Sequence, residues 1–303
     1  VPGSGKTTVL VTRLGYMVLC CDVPPAQILT MTYTVAATHE MRGRFAARFG
    51  AELAGQMTFR TINGLSAVIL QYYSRVYGRR QPELLTNEGD ITRMLTDIWQ
   101  QVNREFPTES TLKELRTAIT YIKNMALADE EIEGLETDLA NLPELYRRYQ
   151  AALKRAGQMD YDDQMVYAAQ ILRQHGDILA YFQDKYRYLC VDEAQDTSKI
   201  QHKILRLLAA RSRNLFLVGD EDQSIYGFRA AYPEALLRFS AVWPGAKTLL
   251  LEDNYRSTPE ILRLAGMFIE GNRERYSKTI RATRAKGRRV HLAHAASRQA
   301  QYR

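Results

Sequence analysis

The chain has 303 residues, 46% hydrophobic and 25% charged, a balance that belongs to a globular protein of two or three domains with an ample core. No apolar run reaches the ~18 residues of a membrane span, and Cys20, Cys21 and Cys190 stand in no metal-binding spacing, which excludes a disulfide scaffold and suits a reducing cytoplasm. The net charge of +7 is unevenly placed: from Asp253 to Arg303 there are 12 Lys/Arg against 4 Asp/Glu, which fits either a polyanion partner or a truncated domain exposing what its other half would balance.

The first residues, Val1-Pro2-Gly3-Ser4-Gly5-Lys6-Thr7-Thr8, lead into apolar Val9-Leu10-Val11. Gly5-Lys6-Thr7 closes a phosphate-binding loop of the pattern G-x-x-x-x-G-K-[ST], whose first glycine falls before residue 1, so the chain is expected to be a fragment. Small residues at 3 to 5 let backbone N–H groups turn onto phosphate oxygens. The helix starting at about Lys6 points its positive end at the same anion. In such a loop Lys6 reaches the β- and γ-phosphates and the Thr7 hydroxyl holds Mg²⁺. The competing reading of eight residues alone is an ordinary Gly-rich turn.

Ile28 to Tyr33 is β-rich and reads as a strand, Ala36 to Phe49 as a helix ended by Gly50, Met57-Thr58-Phe59 as a short strand, and about Asn63 to Tyr77 as a helix. From about 78 to 158 the character changes to charged residues at helical spacing. Ile91, Met94, Leu95, Ile98 and Val102 form one apolar helix face, and Leu112, Leu115, Ile119 and Ile122 form another, so a helical insertion is expected here. Strands return at Tyr188–Val191, at 215–218 and at Leu249-Leu250-Leu251, with a helix over 200–211. Strands alternating with helices imply a parallel sheet covered on both faces.

Two of these strands end in acidic residues: Val191 leads into Asp192-Glu193-Ala194-Gln195-Asp196, and Val218 into Gly219-Asp220-Glu221-Asp222-Gln223. Open α/β sheets bind ligands at strand C-termini. Asp192 is placed to hold Mg²⁺ through water, Glu193 to deprotonate an attacking water, and Gln223 to sense the γ-phosphate. Solvated loop acids are the alternative, weakened by the upstream loop. His291-x-x-His294 has a loose metal-pair spacing with no further ligands nearby.

Together these stretches resemble the superfamily 1 DNA helicases of the UvrD/Rep/PcrA type. The resemblance runs from residue 1 to about 290, with the middle helical segment supporting it by position and length only. Val-Asp-Glu-Ala-Gln-Asp at 191–196 resembles that family's Walker B motif, residues 218–231 its motif III, and Leu-Glu-Asp-Asn-Tyr-Arg-Ser-Thr at 251–258 its motif IV. Residues 30–34 with Glu40-Met41-Arg42 resemble motif Ia, Thr58-Phe59-Arg60-Thr61 the T-F-H-S motif, and Met159-Asp160-Tyr161-Asp162-Asp163 the element that closes the helical insertion.

The resemblance implies an α/β fold: a RecA-like P-loop NTPase domain with a parallel sheet (1–70 plus 159–250), a helical insertion domain (71–158), and the truncated start of a second RecA-like domain (251–303). It implies ATP and Mg²⁺ as cofactors, with catalytic roles for Lys6, Asp192, Glu193, Gln223 and Arg256 and metal-holding roles for Thr7 and Asp192. Nucleotide contacts are implied for Gly3, Ser4, Gly5, Lys6, Thr7, Thr8, Tyr255 (on adenine) and Arg256 (an arginine finger). Single-stranded DNA and its junctions with duplex are the implied partners, met by Tyr33, Thr58, Phe59, Arg60, Tyr226, Phe228 and Arg229. Core packing is the rival reading for the aromatics.

The implied activity is a cytoplasmic ATP-dependent DNA helicase or translocase moving 3′ to 5′ in repair or recombination, with repair proteins as further partners and no membrane. The alternatives are the helicase part of a RecB/AddA-like helicase-nuclease, and an ATP- and DNA-binding module without turnover. Departures from the family are Val35-Ala36-Ala37-Thr38 where Asn-Lys-Ala-Ala is usual, Thr8 for an Arg, Arg60 for a His and Phe228 for a Trp.

Overall fold

A computed structural model of the chain describes residues 1–225, 227, 230–291 and 297. The β-rich run becomes β1 (Ile28–Thr32), buried along its whole length between two parallel neighbours. Its predecessor in the chain is α1 (Lys6–Cys20); after it come α2 (Val35–Phe49), the short α3 (Ala51–Gln56), β2 (Thr58–Thr61) and α4 (Ile62–Tyr77). Thr34 and Thr61 start α2 and α4 by accepting from the N–H groups of Ala37 and Gly64.

A helical stretch follows: α5 (Glu88–Asn103), α6 (Glu109–Met125), α7 (Asp129–Glu133) and α8 (Leu142–Ala156), flanked by a two-residue parallel pair of β3 (Glu83–Leu84) and β4 (Gln158–Met159). Next come α9 (Tyr161–Gln174), α10 (Gly176–Lys185), β5 (Tyr188–Val191), α11 (Lys199–Ala209) and β6 (Leu215–Leu217). The main sheet is all parallel, in the order β2-β1-β5-β6. This is the α/β architecture expected from the alternation of strands and helices.

Side chains alternate across a strand, and here the alternation builds two cores. Leu29, Met31, Leu189 and Val191 face one cluster with Leu65 and Ile69 of α4, Phe182 of α10 and Ile204 of α11. Ile28 and Cys190 face the other, with Leu10 and Leu14 of α1 and Phe45 of α2. A third cluster joins Ile91, Leu95 and Ile98 of α5 to Leu115, Ile119 and Ile122 of α6 and to Leu145 and Leu153 of α8. The two periodic faces read from the sequence meet each other there.

One buried ion network ties this third cluster to α9. The Lys123 ammonium, fully buried, lies 2.5 Å from Asp160 and 2.8 Å from Asp163, and the Tyr149 hydroxyl donates to Asp160 at 3.1 Å. Asp160 also caps α9, accepting from the N–H groups of Asp162 and Asp163. Burial pushes the Asp160 carboxyl up, but Lys123 and these hydrogen bonds outweigh it and hold it below the usual carboxylate range.

The last part departs from expectation. Leu249-Leu250-Leu251 is not a strand. An apolar run becomes a strand only where another backbone takes its hydrogen bonds. This run faces β6 across a cavity of about 210 Å³ lined by Leu215, Leu217, Leu249 and Leu251, and Leu249 stays 81% exposed. The chain instead passes two short helices, α12 (Glu234–Leu237) and α13 (Phe239–Val242), and forms β7 (Asp253–Asn254), α14 (Pro259–Ile269) and β8 (Arg281–Ala282), with β7 and β8 paired in parallel. Among the described residues no helix is long and apolar enough to cross a membrane.

Replacing Lys123 by Met leaves Asp160 and Asp163 without their buried counter-charge. The expected cost is about 3–5 kcal/mol of folding stability, read by urea unfolding; a loss below about 1 kcal/mol would show that the network contributes no more than a surface ion pair.

Candidate active site

Gly5 sits at φ 79°, ψ 25°, the left-handed region, and turns the chain into α1. No side chain caps that helix start and no acid stands in its first turn, so its N–H groups point toward an open anion position. Ser4 is buried and its hydroxyl donates to the Val1 carbonyl at 2.7 Å, which fixes the loop. Thr8 is exposed.

The parallel sheet carries the ends of β5 and β6 to this loop. The Thr7 hydroxyl donates to the Asp192 carboxylate at 3.0 Å, across 185 residues of sequence. Two hard oxygen donors converging this closely are the donor set that Mg²⁺ takes. Burial, then Glu193, push the Asp192 carboxyl up, opposed by Thr7 and Lys6. Glu193 itself holds a left-handed backbone at φ 51°, ψ 44°.

Gln195 joins the two acidic turns, a role the sequence had not shown. Its amide nitrogen donates to Glu193 at 2.8 Å and to Asp196 at 3.2 Å, and its carbonyl accepts from the Asp220 N–H at 2.9 Å. Gly219 makes room for it: a Cβ there would lie 2.9 Å from the Gln195 oxygen and 2.8 Å from Leu236.

Asp220 is the second unforeseen centre. It is buried, and one of its oxygens accepts from Gln223 at 2.5 Å while lying 3.6 Å from the Lys6 ammonium. The other oxygen meets Lys278 at 2.6 Å. Lys278 also reaches Glu221 at 2.9 Å and Asp222 at 3.0 Å, and Arg275 forks Asp222 at 2.9 and 2.8 Å. The ligand oxygens of Asp220, Glu221 and Asp222 lie within 4.8 Å of one another, spacing that suits a metal, but the Lys278 ammonium takes that place.

Gly3 brings in the turn after β7. A Cβ on Gly3 would lie 2.6 Å from the Cβ of Arg256, so only glycine fits, and its φ of 68° also favours glycine. Buried Asn254 donates to the Pro2 carbonyl, and its side-chain oxygen accepts from the N–H groups of Arg256 at 2.9 Å and Ser257 at 2.7 Å. The Tyr255 N–H donates to the Gly3 carbonyl at 3.0 Å. The phosphate loop therefore touches Tyr255 and Arg256 through backbone, while both side chains are exposed, Tyr255 at 64%.

The residues expected at DNA divide. Tyr33, half-buried beyond the end of β1, lines a cleft of about 1240 Å³ with Asn63, Arg116, Tyr161, Asp196 and Ser198. Thr58 is half-buried and Arg60 exposed on β2. Phe59 lies elsewhere: its ring packs into the core 6.1 Å from that of Phe45, because alternation along β2 turns it toward α2. Tyr226, Phe228 and Arg229 lie outside the described residues, as does His294.

With loop, acids and sheet in place, comparison with known proteins gives a family. The model of the UvrD/REP helicase N-terminal domain matches residues 1–244, and the chain belongs to that family. Its parallel sheet and phosphate loop are those of a RecA-like domain. The chain is 34% identical over 294 residues to the ATP-dependent DNA helicase PcrA of Leuconostoc citreum, covering 95% of this chain and 39% of that protein. It is 33% identical over 296 residues to the ATP-dependent DNA helicase PcrA of Staphylococcus aureus, covering 95% and 40%. The chain thus spans about two fifths of the length of these relatives.

Burial alone would raise the Asp220 carboxyl, but Lys278, which meets it at 2.6 Å, and Lys6 oppose this and hold it below the usual carboxylate range. A carboxyl lowered by folding stabilises the fold above its unfolded pKa and loses that contribution as pH falls through the folded one. Asp220 is expected to add stability above roughly pH 4 and to lose it toward lower pH. Unfolding of wild type and Asp220→Asn between pH 2 and 5 checks this: the two curves should converge toward the acid end, and parallel curves would exclude the linkage.

Proposed function

We propose that the chain is the ATP-binding part of a DNA helicase or translocase that couples ATP hydrolysis to movement on single-stranded DNA. The observation that carries this reading is the Thr7–Asp192 contact at 3.0 Å, which joins a phosphate loop to an acid at a strand end. Thr7 and Asp192 would hold Mg²⁺, which when bound neutralises phosphate charge. Lys6, with the α1 N-terminus, draws the β- and γ-phosphates into place.

Glu193 accepts a proton from the water whose oxygen attacks the γ-phosphorus, while the bond to the β–γ bridging oxygen breaks and ADP leaves. Gln195 holds the Glu193 carboxylate from the side, at 2.8 Å. Gln223 reports the γ-phosphate from the β6 turn. Arg256 supplies a permanent planar charge from the 254–257 turn, and Tyr255 supplies a face for adenine.

Residues 1–70 with 159–250 make the first RecA-like domain in this reading, 71–158 the helical insertion and 251–303 the start of a second RecA-like domain. The separate core over Leu85–Leu153 supports the insertion, although α4 runs on to Tyr77. DNA lies along the Tyr33 cleft, between the strand ends and the helical insertion. Its junctions with duplex, the 3′ to 5′ polarity, a repair role with repair or recombination proteins as partners, and a cytoplasmic location all rest on the family resemblance. Stacking on Tyr33 would tolerate any sequence, since every base has a π-face.

ATP turnover with single-stranded DNA, measured on the whole protein that carries this chain, tests the assignment. Lys6→Ala should abolish it. Glu193→Gln should lower it by about 10²–10⁴-fold while keeping nucleotide binding. Unchanged turnover in either variant would overturn the site. For the cleft, Tyr33→Ala should weaken single-stranded DNA binding by about 1–3 kcal/mol in a fluorescence titration; equal affinities would remove Tyr33 from the DNA path.

A further inference from the structure

We propose that Lys278 is a positioning residue for the nucleotide site: it holds the Asp220 carboxylate from the far side and so leaves Lys6 free for phosphate. The proposal rests on the reading of this site as an ATP site, and it adds a group that lies outside the phosphate loop and both acidic turns.

The geometry divides Asp220 in two. One oxygen is 2.6 Å from Lys278, and the other faces Gln223 at 2.5 Å and Lys6 at 3.6 Å. The Lys6 contact is longer than a hydrogen bond, whereas the Lys278 contact is short and its side chain is 4% exposed. Lys278 has an acceptor for each of its three protons, in Asp220, Glu221 and Asp222. Arg275 forks Asp222, and the Tyr276 N–H donates to Glu221 at 2.9 Å. Each of the three crowded carboxylates is thus met from the segment 275–278.

Charge balance gives this a consequence. Three carboxylates face Lys278, Arg275 and Lys6. Without Lys278, the side-chain cations left to the three carboxylates are Arg275 and Lys6, and Lys6 becomes the principal side-chain counter-ion of Asp220. An incoming phosphate must then strip Lys6 from a buried carboxylate, and leaving such a charge unpaired is costly. With Lys278 present, Asp220 stays paired when Lys6 turns to the nucleotide. By reciprocity, nucleotide binding strengthens the hold of Asp220 on Lys278.

The test is a titration of the whole protein that carries this chain with a magnesium complex of a fluorescent ATP analogue. Wild type should bind; Lys278→Met should bind about tenfold more weakly, and Lys278→Arg should lie between them. The double variant Asp220→Asn/Lys278→Met should regain affinity to within about threefold of wild type, because the neutral amide no longer claims Lys6. A merely structural Lys278 would give a double variant no better than Lys278→Met. Wild-type affinity in Lys278→Met, or no recovery in the double variant, overturns the proposal and leaves the ATP site standing. Failure of wild type itself to bind overturns both.

Discussion

One buried asparagine clasps the phosphate loop. Asn254 bonds the Pro2 carbonyl with its amide nitrogen and gathers the N–H groups of Arg256 and Ser257 with its oxygen. The clasp demands a glycine at position 3, because the Cβ of Arg256 occupies the space where a side chain would go. Loop and turn are 252 residues apart in sequence, yet they behave as one backbone unit. A buried amide bonded at both ends is rigid, so the Arg256 backbone is held in a fixed relation to the phosphate loop.

The rest of the site is organised by carboxylates whose surroundings differ. Asp192 sits beside a hydroxyl and is pushed up by burial and by Glu193. Asp220 sits among cations and is held down. Gln195 stands between the two turns, so a shift at the β6 turn moves the group that holds Glu193. Gln223, Asp220, Gln195 and Glu193 are therefore parts of one hydrogen-bonded body, the kind of contiguous network through which coupling can travel.

Much of this was legible from local pattern. The phosphate loop, the acids after β5 and the apolar faces of α5 and α6 all follow from short-range spacing, and their elements lie where that spacing puts them. Three features were not legible, each for a physical reason. Leu249–Leu251 has strand composition, but a strand also needs a neighbouring backbone, which spacing along one chain does not reveal. Phe59 belongs to a motif read as DNA-facing, and only the pleat of β2 against α2 decides which way its ring turns. Gln195, Asn254 and Lys278 take their roles from contacts across long loops, where a polar residue in a sequence carries no mark of its partner.

Glu193 carries one more consequence. A residue with a Cβ in the left-handed region is strained by roughly 1–2 kcal/mol, and here that residue is Glu193, the one proposed to take the water's proton. Glycine would relieve the strain and remove the carboxylate. A Glu193→Gly change would therefore trade the carboxylate for a relaxed backbone, so stability and the proposed chemistry pull in opposite directions at this one position.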